Sequence, residues 1–154
     1  MMAVKSRLLV IDANILRSAG ETEHPVSSAC RNFLNRVLEI CDRMVLTQQI
    51  HKEWKEHASR FSRKWRRSMA ARRKTVKVSP KEVPLNKTSL SDKDCDIIEK
   101  DWHLVEAAFA ADGIIVTRDK EFRRVLEKTE HGGRLKCIKW VNPVKESGTF
   151  FNSR

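Results

Sequence analysis

The sequence predicts a three-layer α/β/α fold around a central, mainly parallel sheet. Short runs of β-formers at residues 7–11, 44–46, 114–116 and 135–141 alternate with stretches whose apolar residues recur at helical spacing. Two of those runs, ending at Ile11 and Val116, are almost uninterrupted apolar residues, as strands buried on both faces are. The resulting order, β-α-β-α-(α)-α-β-α-β, resolves by the usual crossover rules into a parallel sheet with helices on both sides.

Each element has its own signal. The first strand, residues 7–11, runs straight into Asp12-Ala13-Asn14. Pro25 opens a helix over about 26–41, with Ala29, Phe33, Val37 and Ile40 on one stripe and the proline where its missing N–H costs nothing. Residues 44–46 form the second strand, and Thr47 caps the helix after it. Ile50, Trp54, Ala58, Phe61, Trp65 and Met69 then recur at steps of three and four, so one long helix is expected from 48 to about 71. Residues 75–90, with Pro80 and Pro84, read as a linker or exposed loop. Ser91 begins an acidic helical stretch (Asp92, Asp94, Asp96, Glu99) that continues through Trp102, Val105 and Phe109 and stops at Gly113. Asp112 is expected to cap that turn. The strand 114–116 leads into Thr117-Arg118-Asp119, and Asp119 is a suitable N-cap for a short helix carrying Phe122, Val125 and Leu126 and ended by Gly132-Gly133. Residues 135–141 form the last strand, stopped by Pro143, with a frayed tail. The 154 residues are read as one domain, 1–154, with a basic helix extension and loop at about 60–90.

Composition narrows the partners. The net charge is +11, and residues 60–77 contain nine Lys or Arg and no acid, so nearly all of the excess is local. Such a balance points to a polyanionic partner, either nucleic acid or an anionic membrane surface. No stretch approaches the ~20 apolar residues of a membrane span. The apolar run at the amino end is too short for an export signal. Cys30, Cys41, Cys95 and Cys137 show neither close pairing nor zinc spacing, which suggests reduced thiols and a cytoplasmic location. His51 and His57 stand six apart and would face different sides of a helix, so zinc is not expected.

The candidate chemistry lies in acids. Asp101 falls in line with Ile97, Val105 and Ala108, so a helix would aim its carboxylate at the core, where an unpaired charge is costly and normally neutralises, pairs or binds a cation. Asp12 and Asp119 both sit at carboxyl ends of strands, where open α/β sheets place ligands. Glu53 lies beside the apolar stripe of the long helix, in a row with His57, Arg60, Lys64 and Arg67. Taken singly, each has a plainer reading: Asp12 as a turn former, Asp119 as a cap, Glu53 as half of a surface ion pair, the basic run as a solvated face. If the four acids converge, carboxylates without Cys or His select a hard cation, Mg²⁺ or Mn²⁺. Such a site serves phosphoryl transfer to water, and a basic row leading away from it would guide a phosphodiester chain. That combination suggests a nuclease.

In these residues the sequence resembles the PIN-domain nucleases, which include the toxin ribonucleases of bacterial toxin–antitoxin pairs. The resemblance covers roughly residues 7–141. It rests on Leu-Leu-Val-Ile-Asp12-Ala-Asn14, on Glu53 six residues after Thr47, on Asp101 with Ala107-Ala108 a turn later, and on Val116-Thr117-Arg-Asp119. It implies a metal-dependent endoribonuclease with Asp12, Glu53, Asp101 and Asp119 around the metal, and with Asn14 and Thr117 holding the acidic pocket in shape. Asp12 and Asp119 would hold the main ion, while Asp101 and Glu53 complete the site or position the attacking water. Arg60, Arg63, Lys64 and Arg67 are the expected contacts to the RNA backbone. A protein antitoxin and a homodimer are further expected partners. The arginine-rich extension and the proline-containing loop depart from the minimal toxin pattern. Rival readings are a PIN-like module that binds RNA or a ribosomal partner without cutting, and a metal-dependent phosphatase or DNA nuclease.

Overall fold

The computed structural model describes residues 6–129 and 137–152. Five strands, β1 (Leu8–Ile11), β2 (Arg43–Leu46), β3 (Thr75–Lys77), β4 (Ile114–Val116) and β5 (Lys139–Val141), lie in the order β3-β2-β1-β4-β5, and every neighbouring pair is parallel. Seven helices are described: α1 (Ala13–Ser18), α2 (Pro25–Glu39), α3 (Gln48–His57), α4 (Arg60–Ala71), α5 (Asp92–Phe109), α6 (Lys120–Glu127) and α7 (Pro143–Asn152). Because strand order grows outward from β1 on both sides, right-handed crossovers place the helices before β3 on one face and α5 and α6 on the other. The packing agrees: α2 lies against α1, α4 and α7, while α5 lies against α6 and crosses β1 and β4. The expected α/β/α architecture is therefore present. Leu9, Val10 and Ile11 are fully buried, as the central strand of such a sheet requires. Strand order reverses between β1 and β4, so the crevice opens at their carboxyl ends.

Four expectations need correction. Residues 48–71 are not one helix. Ala58 is extended, with φ −63° and ψ 134°, and Ser59 caps a new helix by accepting from the Ser62 amide at 3.1 Å. The break is held from outside. The Ser59 amide donates to Leu16 O at 3.1 Å, the Ser59 hydroxyl to Ala19 O, and the Ser62 hydroxyl to Leu16 O at 2.7 Å. These carbonyls lie at the end of α1, where a helix leaves acceptors open. The apolar stripe survives the break, with Ile50, Trp54, Trp65 and Met69 all buried. The polar row does not: it is cut between His57 and Arg60.

Residues 75–90 are not a plain linker. They begin with β3 as a sheet edge, and the following segment lies across α5. There the Val83 amide donates to Glu106 Oε2 at 3.1 Å, Trp102 Nε1 donates to Val83 O at 2.9 Å, and the Val83 side chain is buried. Pro143 starts a helix rather than ending order. Asn142 Oδ1 accepts from the Val144 amide at 3.0 Å, and Phe150 is buried with its ring 5.9 Å from that of Phe33. Asp112 does not cap its own turn; its Oδ2 accepts from the Leu8 amide at 2.7 Å and ties β4's approach to β1. The turn itself is made by Gly113 at φ +72°, a conformation glycine adopts without strain. The expected Gly132-Gly133 stop, and residues 135–136 of the last strand, lie outside the described residues.

Candidate active site

Four elements deliver the four acids to one crevice of about 330 Å³. Asp12 follows β1 and caps α1; Asp119 follows β4 and caps α6; Asp101 projects from α5 and Glu53 from α3; all four line the same cavity. Arg17, Lys52 and Lys100 line it as well.

A hydrogen-bond web fixes the β1 and β4 ends. Thr117 Oγ1 accepts from Asn14 Nδ2 at 3.2 Å and from the Asp119 amide at 3.0 Å. Asn14 Oδ1 accepts from the Arg118 amide at 3.4 Å, which sets the orientation of the Asn14 amide. With both acceptor sites used, the one hydroxyl proton of Thr117 goes to Asp12 Oδ2 at 2.8 Å. Asp12 Oδ1 accepts from the Asn14 amide at 3.3 Å, and Asp119 Oδ1 from the Phe122 amide at 3.0 Å. Asn14 and Thr117 thus join the loops that carry Asp12 and Asp119.

Glu53 is held differently. Its Oε1 takes hydrogen bonds from His103 Nε2 at 3.1 Å and Gln49 Nε2 at 3.3 Å. Burial would raise the Glu53 pKa, but the hydrogen bond and charge of His103, then Gln49 and His57, outweigh it and lower it. Asp12 goes the other way: burial raises it, Thr117 and Asn14 pull it down, Glu53 and Asp119 push it up, and the balance is a rise.

Asp101 is the outlier. It is only 7% exposed, and among the described residues it accepts no hydrogen bond. Burial first, then the charges of Asp12 and Asp119 and, less strongly, Glu53, push its pKa to about 7, against the opposing charge of Lys100. A buried carboxyl whose charged neighbours are mostly other carboxylates lacks the compensation that such groups normally find.

As they stand, no three or more His, Cys, Asp or Glu side chains among the described residues are grouped to hold one ion. Each of Asp12, Asp119 and Glu53 is turned toward a protein donor, and like charges spread apart. The donor set itself, four carboxylates with no thiolate, fits a hard oxygen-seeking cation, and Asp101 retains its full accepting capacity for one.

The expected backbone-binding residues divide. Arg63 and Arg67 line a cavity on the far side of α3, with Arg66, Arg73 and Lys77. Arg60 and Lys64 are exposed and line neither that cavity nor the acidic crevice. Beyond Asp119 lies a further cleft of about 350 Å³ bearing Arg118, Lys120, Arg123 and Lys145. There the ammonium of Lys145 holds Lys120 below the ordinary lysine value. The position of His103 against Glu53 was missed from sequence. It depends on the approach of α5 to α3, which no local pattern reports.

The thiols take no part. Cys30 is buried, Cys41 and Cys137 are exposed, no disulfide joins the four cysteines, and none lines the crevice. No helix among the described residues is long and apolar enough to cross a membrane. No family model matches this chain, and no curated protein matches it.

Proposed function

We propose that this protein is a metal-dependent endoribonuclease of the PIN-domain kind. The observation that carries the reading is the convergence of Asp12, Glu53, Asp101 and Asp119, from four separate elements, on one crevice in which Asp101 has no protein partner. Asp12 and Asp119 would hold the ion, with Asp101 and Glu53 completing the set or orienting the attacking water. When bound, Mg²⁺ or Mn²⁺ supplies the Lewis acidity that such phosphodiester hydrolysis needs. The chain's own residues do the rest. Thr117 and Asn14 keep Asp12 and Asp119 at fixed separation, His103 keeps Glu53 ionised and in place, and Arg17, Lys52 and Lys100 on the crevice wall attract the phosphate that approaches the acids. RNA as the substrate and an antitoxin partner rest on the motif resemblance, and a homodimer rests on the apolar and basic surface carried by residues 48–71.

The test is cleavage of RNA, single-stranded DNA and duplex DNA with Mg²⁺ and with Mn²⁺. RNA is expected to be cut, and EDTA to stop the reaction reversibly. Asp12→Asn should abolish cleavage while leaving the fold intact, which circular dichroism checks, although the amide keeps only one of the two acceptors that serve Thr117 and the Asn14 amide. Full activity in that variant, or in excess chelator, would refute the metal mechanism.

A further inference from the structure

Two more cavities adjoin the acidic crevice on the β2–β3 side. The nearer, about 790 Å³, shares Gln49 with the crevice and is lined by His51, Lys77 and His103. The farther, about 660 Å³, shares Leu46, His51 and Lys77 with the nearer one and is walled by Arg63, Arg66, Arg67 and Arg73. Linked by these shared residues, the three follow one another as a trough from the carboxylates toward the edge of the sheet, with Gln49 standing between the crevice and the next cavity. Its floor is one face of two paired strands: Met44 lies opposite Thr75 and Leu46 opposite Lys77, and alternation turns all four the same way. Its wall is one face of α4, where residues 63, 66, 67 and 70 stand three and four apart, continued by Arg73 just past the helix end.

Three separate observations mark the trough as a place for an anionic chain. Among the described residues, none of Arg63, Arg66, Arg67, Arg73 and Lys77 forms an ion pair, whereas the acid-facing cations Arg124 and Lys128 elsewhere do. The buried side-chain polar atoms without a hydrogen-bond partner among the described residues are Arg66 Nε, Thr75 Oγ1 and His103 Nδ1, and all three residues line this trough. Arg73 has φ 57° just past the end of α4, where glycine is the unstrained choice. An arginine held there at a conformational cost lines the same cavity.

We propose that the trough is the path of a single-stranded nucleic acid. Arg63, Arg66, Arg67, Arg73 and Lys77 would hold backbone phosphates of a segment several nucleotides from the acidic crevice. Cations on the inner walls of a trough are reached by a single strand, whereas a duplex displays its phosphates on a convex surface. The cavity is in the size range that takes nucleotide-sized groups. The proposal rests on the nuclease reading only in that the strand leaving the trough enters the crevice.

The test measures binding without cutting. A fluorescent 2′-O-methyl RNA about 15 nucleotides long, a length that spans known single-strand sites, is titrated in EDTA. Arg63→Gln/Arg67→Gln/Lys77→Gln is compared with Arg36→Gln/Lys55→Gln/Lys93→Gln, which removes equal charge from exposed positions outside the trough. All six residues are exposed, and melting temperatures check that both proteins fold. The trough variant is expected to bind at least about tenfold more weakly, with its salt slope reduced by about 2, on ~0.7 per phosphate for single strands. The control should stay within about threefold. Equal losses in both variants, no loss in the trough variant, or competition by a duplex as effective as by the single strand would each overturn the proposal. A wild-type chain that binds in this way yet cuts nothing with Mg²⁺ or Mn²⁺ supports the trough and refutes the nuclease reading instead.

Discussion

At Asp101 the ionised side chain is the unfavourable form. Its folded pKa of about 7 lies above the ordinary aspartate value of 3.8, so between those values the folded chain keeps a proton that the unfolded chain has lost. Stability therefore falls as pH rises through that window, and the penalty is complete above pH 7. Asp101→Asn removes it. The variant is expected to be more stable than the wild type at pH 8 by roughly 1–3 kcal/mol, discounted for partial solvent screening, and equal to it near pH 4; urea unfolding at both pH values checks this. No gain at pH 8 would mean that Asp101 has a compensating partner. Its position was legible because a residue in register with Ile97, Val105 and Ala108 has to point inward. The bonds joining Asn14, Thr117, Asp12 and Asp119 came from the resemblance, not from any spacing. The contact of His103 with Glu53 was hidden, since it joins residues fifty apart on two helices.

Among the elements, the break between α3 and α4 decides where the positive charge goes. A continuous helix would carry Arg60, Lys64 and Arg67 in one row away from Glu53. The extended Ala58 and capping Ser59 turn the second helix so that Arg63, Arg66 and Arg67 face the β2–β3 edge instead. Periodicity could not reveal this. It records which residues are buried, and Trp54 and Trp65 are buried on either side of the bend. Ser59→Ala removes the cap and its bond to Ala19 O, and should cost about 1–2 kcal/mol in denaturant unfolding. A loss well below that would mean that Ser62 and its bond to Leu16 O hold the bend alone. β3 was missed because three residues among basic neighbours carry no alternation to read. α7 was missed because a proline can start a helix as readily as it stops a strand.

The molecule as a whole separates chemistry from anchorage along the strand direction. The acids gather at the carboxyl ends, and the trough runs from there along the β2–β3 edge. At the amino ends, Arg7 grips Asp42 through Nε and Nη2, the latter at 2.8 Å, donates from Nη1 to Phe150 O at 3.1 Å, and lies 3.8 Å from the Phe150 ring centroid. The Asp42 side chain is fully buried, so Asp42→Ala leaves an uncompensated cation and should destabilise by about 3–5 kcal/mol. Cleavage per folded molecule should be unchanged in the cold; a selective loss of activity would show that the two poles are not independent. The parallel sheet was legible, because continuous apolar runs followed by Asp12 and Asp119 fit strands buried on both faces; the strand order, with its reversal between β1 and β4, was not, since it depends on which strands pair across the sheet. One indole bridges the acidic crevice and the trough. Trp54 donates through Nε1 to Ile11 O at 2.9 Å, one residue before Asp12, and the guanidinium of Arg66 lies 5.3 Å from its ring centroid. In a variant with Trp65, Trp102 and Trp140 replaced by Phe, its fluorescence becomes an internal optical gauge: displacing the guanidinium alters the charge beside the excited ring, while rearrangement behind Asp12 alters the hydrogen bond at its nitrogen, so occupancy of either region can be followed without attaching a dye.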